Sequence, residues 1–255
     1  MNPIASDIPT GKVVAIIPSR FGSTRFPAKP LALIAGQPMI QHVVNRARQA
    51  LRVQRVVVAT DDIRIAQAVE AFGGEALMTG DLPTGTDRIA QAASLLEAQG
   101  EQVGWVMNVQ GDEPLVDPQD LDMLVAHLTA IPGAVMGTLA FPLHNQEAFL
   151  DPNVVKVVTD HQGRALYFSR APIPYPRETG HWGQRHMGIY LFRRDFLATF
   201  AALAPTPLAI RESLEQLRAL ENGYPIHCFT ARTFSVGVDV PQDIQRVEAE
   251  LARLR

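Results

Sequence analysis

Cysteine is nearly missing from this 255-residue chain: Cys228 stands alone. An internal disulfide is therefore excluded, and a reducing, cytoplasmic setting is expected. No apolar run reaches the roughly 18 residues of a membrane span. The opening Met1-Asn-Pro-Ile-Ala-Ser-Asp7 lacks the basic segment and apolar core of a secretory signal, so a soluble protein is expected. A net charge of −3 offers no general excess of cations, which argues against a nucleic-acid binder. The Gly-x-Gly-x-x-Gly turn of dinucleotide-binding dehydrogenases and the Gly-Lys-Thr/Ser of a Walker loop are both absent. Neither an internal repeat nor a low-complexity segment is present. One further absence is local. From Ile8 to Thr60 there is no Asp or Glu, while Lys12, Arg20, Arg25, Lys29, Arg46, Arg48, Arg52 and Arg55 all fall within that stretch. An acid-free, cation-rich segment in a mildly acidic chain creates a local field that draws an anionic ligand.

A composition of 47% hydrophobic and 19% charged residues suits a globular core. Short β-branched runs alternate with segments of helical period, which predicts an α/β fold with a mostly parallel sheet and crossover helices. Val13 to Ile17 reads as the first strand, Met39 to Leu51 as a helix, and Arg55 to Ala59 as the second strand. Asp61 and Asp62 stand at a helix start ahead of Ile63 to Phe72, which Gly73-Gly74 closes. A helix follows Thr84 and runs to about Gln99, Trp105 to Val109 is a buried strand, and another helix begins near Gln119. After Gly133 the pattern becomes strand-rich: Val135 to Phe141, Val154 to Thr159, Arg164 to Phe168 and His186 to Phe192. Residues 133–193 are expected to form a β-rich insertion or edge part. Pro172-Ile-Pro-Tyr-Pro176 is excluded from any central strand. Helices are expected at Arg211 to Glu221 and from Val240 onward.

The first strand runs directly into Pro18-Ser-Arg-Phe-Gly-Ser-Thr-Arg-Phe-Pro-Ala-Lys-Pro30. In open α/β sheets ligands bind beyond the carboxyl ends of the strands, so this loop is placed to grip a polyphosphate. Gly22, Ser23 and Thr24 allow close backbone approach and offer hydroxyls, and Arg20, Arg25 and Lys29 can neutralise phosphate oxygens. Asp112 and Glu113 follow the buried 105–109 strand and would project at the same edge, where Mg²⁺ is commonly held by one or two carboxylates plus phosphate oxygens. Asp239 is a second metal candidate, although its spacing alone favours a helix cap. Arg170, His186, Tyr190, Glu215 and Gln216 form a third polar group in apolar or amphipathic settings. His186 alone fits a structural role as well as a catalytic one. Trp105 and Trp182 read as core and loop anchors, and Cys228 as an inert buried thiol.

The basic loop resembles the Pro-Ala-Arg-x-x-Ser-Thr-Arg-Leu-Pro-Gly-Lys-Pro loop of the sugar-acid cytidylyltransferases, and more narrowly the branch of that family acting on 3-deoxy-manno-octulosonate (Kdo) in lipopolysaccharide synthesis. The resemblance continues in order through Val57-Val-Ala-Thr-Asp61, Gly85-Thr-Asp-Arg88, Asn108-Val-Gln-Gly-Asp-Glu-Pro114, Tyr167-Phe-Ser-Arg-Ala-Pro-Ile-Pro174, His186-Met-Gly-Ile-Tyr190, Leu214-Glu-Gln-Leu-Arg218 and Gly237-Val-Asp239. It implies a Rossmann-like nucleotidyltransferase domain over residues 12–255 after a short 1–11 extension, with the 133–193 part serving in a homodimer. It further implies that Arg20, Ser23, Arg25 and Lys29 meet the CTP phosphates, that Thr84, Gly85 and Arg88 lie near the nucleotide, and that Asp112 and Asp239 hold Mg²⁺. Gln110, Arg170, His186, Tyr190, Glu215 and Gln216 are implied to form the pocket of an acidic 3-deoxy-ulosonic sugar. Ser19, Phe26 and Ala28 depart from the family's Ala, Leu and Gly, and the connection from Tyr175 to Arg185 is shorter than in typical members. Alternatives are a related acidic sugar, 8-amino-Kdo or sialic acid, and a non-catalytic nucleotide-binding regulator, which would lack the carboxylates.

Overall fold

A computed structural model describes residues 11–22, 26–178, 180 and 182–253. Ser23 and Arg25, implied phosphate contacts, lie outside these described residues. In chain order the strands and helices are β1 (Lys12–Ser19), the short hairpin β2 (Leu33–Ile34) and β3 (Gln37–Pro38), α1 (Met39–Ala47), β4 (Arg55–Thr60), α2 (Ile63–Ala71), β5 (Ala76–Met78), α3 (Gly85–Ala98), β6 (Val103–Asn108) and α4 (Pro118–Thr129). They continue with β7 (Met136–Pro142), α5 (Gln146–Leu150), β8 (Lys156–Thr159), β9 (Ala165–Ser169), β10 (Gln184–Arg193), α6 (Arg194–Ala202), α7 (Pro207–Glu212), α8 (Leu217–Glu221), β11 (His227–Thr230) and α9 (Asp243–Arg253).

The main sheet runs β11-β7-β10-β6-β1-β4-β5. β6, β1, β4 and β5 are mutually parallel, as their unbroken apolar runs require, while β10 enters antiparallel between β6 and β7. Successive residues of β1 point to opposite faces, so each face acquires its own core. Val13, Ala15 and Ile17 pack with Ile40, Val43 and Val44 of α1, Ile65 and Val69 of α2, and Leu121 and Leu124 of α4. Val14 and Ile16 pack with Ile89, Ala92 and Leu96 of α3 and Phe196 and Phe200 of α6. Helices on both faces leave the carboxyl ends of β1 and β6 as the open rim where the loops converge.

Helix starts follow the expected chemistry. Asp62 accepts the Arg64 amide at α2, Thr84 accepts the Asp87 amide at α3, and Asp117 accepts the Gln119 amide at α4 ahead of Pro118. The stretch expected as one helix over Arg211 to Glu221 is instead α7 and α8, separated by Ser213 in the left-handed region at φ 52°. α9 starts at Asp243 rather than Val240. β5 and the β2–β3 hairpin have too few residues to show a period and were not foreseen. Within the strand-rich 133–193 stretch, β7 and β10 are integral to the main sheet, and β8 and β9 form a hairpin hung from β10.

A third, smaller core lies at the rim. Ile34, Met39, Leu115, Val238 and Val247 are buried together, with Phe26, Val236, Ile244 and Leu251 packed against them. It joins the residues after the basic loop to the last helix.

Candidate active site

Lys29 opens a single 3₁₀ turn, Lys29–Leu31, set up by Ala28 in the left-handed region at φ 55°. Its ammonium donates to Asp112 Oδ2 at 2.6 Å and to the Val238 carbonyl at 2.9 Å. Asp239 Oδ1 lies 4.0 Å from the same nitrogen. Two carboxylates separated by 127 positions in sequence therefore face one cation. The Val238 amide donates to the Asp112 carbonyl at 2.9 Å, which ties the strand end to the segment carrying Asp239. The helix-cap alternative for Asp239 fails: Asp243 Oδ2 accepts the amides of Asp239 and Val240, leaving the Asp239 carboxylate on the cleft wall with its side chain 69% exposed.

These groups line a cleft of about 390 Å³ together with Arg20, Thr84, Gly85, Arg88, Gln110 and Gly111. Gly111 fits closely there: a Cβ would stand 3.0 Å from Ser19 Oγ and 3.2 Å from the Pro18 carbonyl, so these neighbours would have to give by a few tenths of an ångström. Arg88 belongs to the wall rather than to the open face. Its guanidinium, 3% exposed, donates to Asp61 at 2.9 Å and to Thr79 Oγ1 at 2.6 Å, fixing the start of α3 against the ends of β4 and β5.

Gly85 and Gln110 also line a second cleft of about 170 Å³ with Thr86, Asn108, Tyr190, Glu215 and Gln216 over an apolar floor of Met136, Phe192 and Phe200. Glu215 is fixed from two sides: Thr86 Oγ1 donates to Oε2 at 2.7 Å, and the Arg218 guanidinium pairs with Oε1. The irregularity in β10 between Met187 and Tyr190 leaves the Gly188 carbonyl to accept from Gln110 Nε2 at 3.2 Å. Burial, with the Glu215 charge second, pushes the Tyr190 hydroxyl far up, so it remains a neutral donor.

Three sequence-predicted residues are placed differently. The Arg170 guanidinium lines neither cleft and donates to the carbonyls of Glu212 and Pro152, while its amide donates to the Glu212 carboxylate, so it closes α7 onto β9. His186 stands behind Tyr190, ring centroids 5.3 Å apart, and shares a 3.0 Å hydrogen bond with Thr138 Oγ1. Burial pushes its imidazole down to about 3, so it is neutral at physiological pH. Glu113 turns away from Asp112, accepts from Ser235 Oγ at 2.6 Å and lies in a third depression on the far side of Asp239. Desolvation, opposed by that hydrogen bond and reinforced by the Asp112 charge, raises its carboxyl to about 7. Cys228 is buried, and burial pushes its thiol up to about 12, as an inert side chain requires.

Ser19, Thr86 and Asn108 also line the clefts, although the sequence marks them only as members of motifs and not as candidate site residues. For Asn108 a signal existed, because an amide that closes a strand of apolar residues needs a reason to be there.

A family model described as cytidylyltransferase matches residues 14–230. A 3-deoxy-manno-octulosonate cytidylyltransferase of Syntrophotalea carbinolica is 52% identical over 253 residues, covering 95% of this chain and 99% of that protein. A protein of the same name from Geobacter metallireducens is 47% identical over 259 residues, with 96% and 99% covered. The solved structure of a CMP:2-keto-3-deoxy-manno-octonic acid synthetase complexed with CTP matches with a TM-score of 0.89 at 42% identity, covering 96% of this chain and 100% of that one.

Proposed function

The chain belongs to the cytidylyltransferase family, and on that footing we propose that it transfers the cytidylyl group of CTP to the anomeric hydroxyl of Kdo, giving CMP-Kdo and pyrophosphate. The observation that carries this reading is the Lys29 ammonium set between Asp112 and Asp239 in the same cleft as Arg20.

The physical problem is repulsion between an anionic sugar acid and a triphosphate. Arg20 and Lys29 supply positive charge where the β and γ phosphates would lie, stabilising the charge that grows on departing pyrophosphate. Thr84 and Gly85 open α3 toward the cleft and present the amino end of a helix to the nucleotide. Gln110 borders both clefts and so stands between nucleotide and sugar acid. The second cleft, with Tyr190, Glu215 and Gln216 above an aromatic floor, has the mixed polar and apolar lining that a sugar needs.

Asp112 and Asp239 fit Mg²⁺: both are hard oxygen donors, both already face one cation, and two carboxylates leave the remaining positions for phosphate oxygens and water. Bound there, Mg²⁺ would neutralise phosphate charge and lower the pKa of a coordinated hydroxyl. The reading extends to a cytoplasmic enzyme supplying lipopolysaccharide synthesis and working as a homodimer through the 133–193 part. The lone cysteine supports the reducing compartment, and no helix among the described residues is long and apolar enough to cross a membrane.

The test is pyrophosphate release from CTP and Mg²⁺ with Kdo, 8-amino-Kdo and sialic acid in parallel. Kdo is expected to be the best substrate, and Asp112→Asn to reduce turnover by roughly 100-fold or more with the fold intact by circular dichroism. No release with any sugar acid, or a fully active Asp112→Asn, refutes the reading.

A further inference from the structure

Two residues that line the second cleft each carry a buried polar atom with no hydrogen-bond partner among the described residues. Asn108 is 4% exposed and its Oδ1 is unpaired; Gln216 is 5% exposed and its Nε2 is unpaired. Both residues line the same small space. Buried acceptors and donors are nearly always satisfied, and an orphan destabilises the folded protein. Two orphans of opposite kind in one cleft mark a place prepared for a group that both accepts and donates.

Their setting narrows the group. Asn108 ends β6, cross-strand from Tyr190 of β10. Glu215, the carboxylate of the cleft, already has its two oxygens engaged by Thr86 and Arg218. The acceptor left unpaired is therefore a neutral amide oxygen, which receives a hydroxyl without adding negative charge beside an anionic substrate. A hydroxyl also takes a hydrogen bond on its oxygen, the complement of the Gln216 amide.

We propose that Asn108 is a specificity-determining residue for the sugar acid, its Oδ1 accepting one substrate hydroxyl whose oxygen receives the Gln216 Nε2–H. The inference rests on the functional reading above and adds to it a residue that directly discriminates substrates. A site built around a hydroxyl rejects the analogue lacking it, because the orphaned pair then stays buried and unsatisfied. Asn108 thus trades stability of the free enzyme for recognition.

The trade separates this role from a structural one. Kdo and its mono-deoxy analogues are assayed with CTP and Mg²⁺ on the unaltered enzyme, Asn108→Leu and Gln216→Met, with melting temperatures for all three. On the unaltered enzyme one deoxy analogue should lose roughly 10-fold or more in kcat/KM. Asn108→Leu should lose a similar factor on Kdo, cease to distinguish that analogue, keep the KM for CTP within about twofold, and melt no lower than the unaltered enzyme. Gln216→Met should show the same loss of discrimination, and it carries the test should Asn108→Leu fail to fold. Full discrimination retained in the variants, an equal rise in the KM for CTP, or a lowered melting temperature with intact Kdo kinetics overturns the proposal. An unaltered enzyme that releases no pyrophosphate with any sugar acid refutes the functional reading itself, whereas an active enzyme with undiminished discrimination in both variants refutes only the role of Asn108.

Discussion

Lys29 shows how one side chain organises a site of opposed charges. Asp112 and Asp239 would repel across the cleft, and the ammonium between them offsets that repulsion while its third partner, the Val238 carbonyl, holds the segment in register. The cation-rich loop and Asp112 were legible in the sequence because each follows a recognisable strand, whereas Asp239 was marked by the family resemblance, its spacing alone favouring a helix cap. The pairing of Arg170 was not, since carbonyl acceptors on a neighbouring turn leave no trace in residue type. His186 illustrates the same limit and carries a pH prediction. Its folded-state pKa is pushed below the ordinary value to about 3, so unfolding at mildly acid pH takes up a proton that the native ring refuses. Stability from this group is full above roughly pH 6.5 and is lost as pH falls through the window down to about 3. His186→Phe is expected to flatten the acid limb, read as the change in urea midpoint between pH 7 and pH 5; an unchanged slope contradicts the assignment.

At the scale of elements, the long parallel strands were the most legible parts, because buried β-branched runs admit few alternatives. Short elements were hidden. The break between α7 and α8 depends on Ser213 adopting a left-handed backbone, a choice imposed by packing rather than by serine, and it is this break that turns Glu215 and Gln216 into the second cleft. The basic loop makes a similar demand at Ala28, where φ is 55° and the family pattern has glycine. A Cβ in that region costs about 1 kcal/mol. Ala28→Gly is therefore expected to raise stability by up to about 1 kcal/mol in denaturant titration, less the entropy that glycine gains in the unfolded chain. A clear loss of stability would show that the alanine methyl is held favourably.

Across the whole molecule, the candidate cleft is assembled from both ends of the chain. Asp120 in α4, 1% exposed, accepts the Arg232 amide at 2.8 Å, Ser235 binds Glu113, and Glu248 of α9 accepts the Ala35 amide at 2.7 Å. Val247, fully buried, locks α9 into the small rim core beside Val238. Val247→Asp is expected to undock α9 and reduce activity by roughly 10-fold or more while most far-UV circular dichroism persists, because the two large cores do not include it. Complete unfolding would show instead that the rim core is part of a single cooperative unit.

The rim core has a further consequence for biosynthesis. A nascent polypeptide that has emerged only as far as Thr230 possesses every strand of the main sheet and the basic loop, yet has no Asp239. The platform can fold early on the ribosome, but the cleft gains Asp239 only with the final stretch, so truncated translation products retain the cationic loop and Asp112 without the second carboxylate.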